Sequence, residues 1–71
     1  MLIKLAQTYQ NIYDAMYSEP LKSGHRLFSI ALSSTQYGLT TVQLTDLVNH
    51  LVIQKSAMWV NERTQQHFIL I

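Results

Sequence analysis

The sequence predicts a small α+β domain: a helix, a short strand, a short helix, a long helix and a closing β-hairpin. Three observations predict it. An apolar stripe at helical spacing opens the chain, a capped amphipathic segment follows Gly38, and two strand-forming runs separated by a polar link end it. At 71 residues the chain holds one domain, residues 1–71. A domain of this size buries only about 60–65% of its unfolded surface, so its core is thin, and a partner or a second copy can supply further burial.

The first helix is expected over Leu2 to Tyr17. Leu2, Leu5, Ala6, Tyr9, Ile12, Tyr13 and Met16 form one stripe, and Lys4, Gln7, Thr8, Asn11, Asp14 and Ala15 form the opposite face. Ser18-Glu19-Pro20 stops it, because proline disfavours helical geometry in the residue before it. Lys22-Ser23-Gly24 completes a loop. In HRLFSIALSS, Phe28, Ile30 and Leu32 alternate as a strand would, whereas Leu27, Phe28, Ala31 and Leu32 fit a short helix. The expectation that serves both is a strand at Arg26 to Phe28 running into a helix from Ser29 to Ser34. Ser33 to Gly38 reads as loop by composition.

The long helix is expected over Leu39 to Lys55. Thr40 and Gln43 have the spacing of a capping box, and Leu44, Leu47, Val48 and Leu51 fall on one face. Lys55 continues that face, its ammonium near the negative end of the helix dipole. Ala57 to Val60 and His67 to Ile71 are strands joined by the polar link Asn61 to Gln66. Phe68 and Leu70 then face one side and Ile69 and Ile71 the other, so the last strand needs cover on both faces or stands as an open edge. Trp59 is expected to be a core side chain. This order of elements is that of a winged helix, with a three-helix bundle and an incidental tail as its competitor.

Taking the leucine face as inward, a rotation of about 100° per residue leaves Val42, Asp46, Asn49, His50 and Ile53 pointing away. A groove-reading helix combines base-edge donors with cations that neutralise phosphate. This face carries no Lys or Arg and one acid. The net charge is +1, and the basic residues Lys4, Lys22, Arg26, Lys55 and Arg63 are scattered, so the chain shows no nucleic-acid footprint. Val42, Asp46, Asn49, His50 and Ile53 are therefore the candidate protein-contact residues. Were the domain a DNA-binding regulator instead, Thr41, Thr45, Asn49, Lys55 and Arg63 would make the contacts.

No chemistry-bearing constellation appears. His25, His50 and His67 have no ligand-type neighbour at helical spacing, the acids form no local pair, and Ser33-Ser34 lacks the glycines of a nucleophile elbow. The two glycines, Gly24 and Gly38, do not make a phosphate-cradling loop. No catalytic residue, metal, cofactor or small-molecule site is expected. The chain has no cysteine, which excludes a disulfide framework and agrees with a cytoplasmic location. No apolar run reaches the roughly 18–20 residues of a membrane span, and MLIKLAQTYQ has no signal-peptide layout.

Gly38-Leu39, then Leu44, Val48 and Leu51, then Lys55 and Ala57 leading into a strand, make up a pattern that extends back to RLFSI at Arg26 to Ile30. Over about 45 residues it resembles the C-terminal winged-helix domain of the smallest subunit of the ESCRT-II endosomal sorting complex. That family carries two winged helices in tandem, and only one is present here. The resemblance implies a protein-binding role, contact with an ESCRT-III subunit and no DNA binding. The combined expectation is a non-enzymatic winged-helix-like adaptor or assembly subunit that contacts a protein partner or a second copy as a homodimer.

Overall fold

His67 to Leu70 form the middle strand of a sheet, and the rest of the molecule is arranged on either side of that strand. A computed structural model describes residues 6–71. The order is α1 (Gln7–Tyr17), β1 (Arg26–Ser29), α2 (Ile30–Tyr37), α3 (Thr41–Ile53), β2 (Ala57–Trp59) and β3 (His67–Leu70). The three strands are antiparallel in the order β1-β3-β2. The domain is thus α+β, with three helices and a three-stranded sheet among the described residues.

β2 and β3 pair as the expected antiparallel hairpin, but the prospect of an open last strand is corrected here. Phe68 pairs with Phe28 on one side and with Trp59 on the other, and Leu70 pairs with Arg26 and Ala57. Both edges of β3 are therefore satisfied within the chain, and the edge hazard passes to β1 and β2. The alternation of Phe68 and Leu70 survives as expected, and both are buried. They meet Met16, Phe28, Ile30, Leu44, Leu47, Val48, Leu51, Ala57 and Trp59 in one core. Phe28 stacks on Phe68 at 5.5 Å between ring centres, and Trp59 meets Phe68 edge-on at 6.0 Å, both favoured aromatic geometries.

The helices differ from expectation mainly at their ends. Leu2 and Leu5 lie outside the described residues, and Ala6 is the residue that precedes α1 rather than part of it. Tyr9, Ile12 and Tyr13 pack against the core and Met16 is fully buried, so the Tyr9 to Met16 part of the predicted stripe faces inward. α2 corrects the expected loop at Ser33 to Gly38, for it runs on to Tyr37. Serine-rich composition marks loops only by correlation. Here Ser34 and Thr35 turn their hydroxyls back to donate to the Ala31 carbonyl, within the helix. Ser33 and Ser34 are buried, and their small side chains suit the side of α2 that packs on α3. Ser29 both ends β1 and caps α2, its Oγ accepting from the Leu32 amide at 3.4 Å.

Thr40 caps α3 with the reciprocal pattern its spacing predicts. Its Oγ1 accepts from the Gln43 amide at 3.0 Å, and the Gln43 side chain accepts from the Thr40 amide at 3.0 Å. The helix starts at Thr41, not Leu39, and stops at Ile53, not Lys55. Both α2 and α3 end in the same doubly bonded turn. After α2, Leu39 N donates to Ser34 O and Gly38 N to Thr35 O; after α3, Ser56 N donates to Leu51 O and Lys55 N to Val52 O. The motif needs a left-handed residue. Gly38 supplies it at φ 69°, whereas Lys55 is forced into it at φ 62°. Lys55 therefore does not extend the helix face. Lys55→Gly is expected to raise stability by about 0.5–1 kcal/mol, since the Cβ strain exceeds the chain entropy that glycine adds. A urea midpoint that falls in this variant contradicts the assignment.

Polar ties hold the end of α1. Arg26 Nε donates to the Tyr17 carbonyl at 2.9 Å, and its guanidinium lies 4.0 Å over the Tyr17 ring. Tyr37 OH donates to the Glu19 carboxylate. Burial, then the Glu19 hydrogen bond and charge, push the Tyr37 hydroxyl up to about 12 from 10.0. A raised folded value means that the stabilisation is complete below pH 10 and is lost as pH climbs toward about 12. Tyr37→Phe is expected to lose about 1 kcal/mol at neutral pH and to flatten that alkaline decline. Denaturant midpoints at neutral pH and across the alkaline range measure both effects.

Candidate interaction face

The outward side of α3 follows from its inward side. Leu44, Leu47, Val48 and Leu51 are fully buried, which aims Val42, Asp46, Asn49 and Ile53 away at i, i+4, i+7 and i+11. At 1.5 Å per residue this stripe is about 16 Å long. Val42 is 77% exposed and Ile53 66%, so the two ends are apolar knobs in water. α3 itself carries no Lys or Arg.

The middle of the stripe is polar and partly held by the fold. Asp46 is exposed and accepts from Tyr9 OH at 3.3 Å. Burial raises the pKa of Tyr9, and the Asp46 charge and hydrogen bond raise it further, so the phenol remains a neutral donor. His50 Nδ1 lies 2.7 Å from the Asp46 carbonyl oxygen and 3.7 Å from its carboxylate. A carbonyl only accepts, so Nδ1 carries the proton, and Nε2 is the acceptor in the neutral ring. Asn49 is drawn into the packing: its Oδ1 accepts from the Trp59 indole at 3.0 Å, joining α3 to β2. Asn49 thus lies on the face but is committed to Trp59, whose ring is buried as expected.

Of the residues proposed for DNA contact, Thr41, Thr45 and Asn49 stand at i, i+4 and i+8 on α3, whereas Lys55 and Arg63 lie beyond the helix. Thr41 stands at the first turn, and Thr45 Oγ1 donates to the Thr41 carbonyl at 2.8 Å. Lys55 sits in the left-handed corner after the helix. Arg63 is in the β2–β3 link, where its amide and that of Thr64 donate to Asn61 Oδ1. Among the described residues no three His, Cys, Asp or Glu side chains come together as metal ligands. No described helix is long and apolar enough to cross a membrane.

Tyr9 is the one member of this face that sequence reasoning placed elsewhere. Its place on the apolar stripe of α1 was legible, but its partner lies 37 residues away, beyond the reach of any local pattern. No family model, curated protein or solved structure matches the chain.

Proposed function

We propose that the chain is a non-enzymatic, winged-helix-like module of the cytoplasm that binds another protein through the outward face of α3. The winged-helix reading is supported by the element order and by a sheet whose last strand lies between the other two. In that frame α3 is the helix that a DNA-binding member would place in the major groove. The observation that carries the protein-binding reading is the composition of this face: Val42 and Ile53 largely exposed, Asp46 between them, and no Lys or Arg on α3 itself. Two aliphatic side chains held in water favour burial against a protein partner, and an acid between them opposes phosphate. An adaptor or assembly subunit fits such a face, as does the protein-binding role that the ESCRT-II resemblance implies.

Titration against a fluorescent duplex at low and moderate salt tests this against the DNA-binding alternative. No binding is expected even at low salt. Binding that weakens steeply as salt rises, the mark of counterion release, would transfer the function to Thr41, Thr45, Asn49, Lys55 and Arg63.

A further inference from the structure

The sheet has a second face, turned away from the helices, and it is apolar. Leu27 and Met58 both pair with Ile69, so the three side chains form one cross-strand row. Val60 and Ile71 flank it, by the alternation of β2 and β3. Leu27, Met58, Val60 and Ile71 are 38%, 51%, 57% and 61% exposed, and Ile69 is half-buried between its neighbours. Ser29 and His67, paired to each other, continue the face, so among the described strand residues no Asp, Glu, Lys or Arg stands on it. A sheet face meant for water carries polar residues at these alternating positions.

We infer that this face binds a second copy of the chain, sheet against sheet about a two-fold axis. An uncharged face meets its own copy without like-charge repulsion, as an isologous contact requires. The five side chains leave on the order of 400 Å² of apolar surface open, the size of patch that marks an interaction site. Two such faces with their polar rims bury about 1,000–1,200 Å², the lower limit for a specific interface, so the dimer is weak and reversible. The inner sides of α3 and the sheet share one core, which puts the outer sheet face and the outer α3 face on opposite sides of the domain. Dimerisation leaves both α3 faces open and makes the assembly bivalent. The dimer does not depend on what α3 binds.

Sedimentation of the whole chain over a concentration series tests this. The mass is expected to rise from 8.2 kDa toward twice that value, with a midpoint on the order of 10–100 μM. Met58→Lys is expected to weaken association at least about 10-fold. It should melt like the parent at concentrations where both are monomeric. Val42→Glu, on the opposite side, should leave the dimer intact. If Met58→Lys does not fold, Val60→Lys carries the same test at the end of the strand. A chain that stays monomeric to millimolar concentration overturns the inference, whether its sheet face then takes up lipid vesicles, another protein or nothing. A dimer broken by Val42→Glu and indifferent to the sheet-face variants overturns it too.

Discussion

Phe68→Ala is expected to remove a large part of the domain's stability. Phe68 is fully buried in the central strand, with Phe28 stacked on one side and Trp59 edge-on at the other. Truncating such a ring costs about 3–5 kcal/mol. The whole stability of a 71-residue chain is of similar size, about 4–10 kcal/mol. A fall of roughly 12–40 °C in the thermal midpoint by circular dichroism is the readout. Ile71→Ala, at the exposed end of the same strand, is the matched control and is expected to cost less than about 1 kcal/mol. Equal effects of the two changes would mean that β3 is not the centre of the core.

The second large effect concerns binding rather than folding. Val42→Glu combined with Ile53→Lys is expected to reduce partner affinity by about 50-fold or more, the consequence of removing two apolar anchors and placing charge in a desolvated contact. The fold should be spared. Both side chains are mostly in water, and each new charge agrees with the helix dipole, negative in the first turn and positive in the last. Unchanged melting with lost binding is the expected pair of results. Unchanged binding would move the contact off α3.

Elements whose residues declare themselves locally were legible in the sequence. The α3 capping box and the leucine face needed only spacing, and the alternation of Phe68 and Leu70 needed only period two. Less local features were not legible. Helix α2 runs through Ser33 to Tyr37 because a tertiary contact favours small buried side chains there, and the hydroxyls are satisfied by bonding back to Ala31. Composition alone favours a loop there. β3 became central because β1, forty residues earlier by pairing of Phe28 with Phe68, closes on its far edge. Nothing near His67 to Leu70 announces that. The candidate face shows the same division. Val42 and Ile53 follow from helical rotation, whereas the Tyr9–Asp46 and Asn49–Trp59 hydrogen bonds depend on packing between elements. Lys55 is the clearest local failure. Its spacing continued the helix face, but a doubly bonded turn placed it at positive φ, where a glycine is the usual choice.

The most direct test of the account is photo-crosslinking from position 42. Benzoylphenylalanine replaces Val42 in the full chain, in cells that make the protein, and the products are resolved by mass. The account predicts a discrete crosslinked polypeptide that disappears when Ile53→Lys is added. Adducts to nucleic acid, or the same absence of product at position 42 as at an exposed control position such as Gln66, would contradict it.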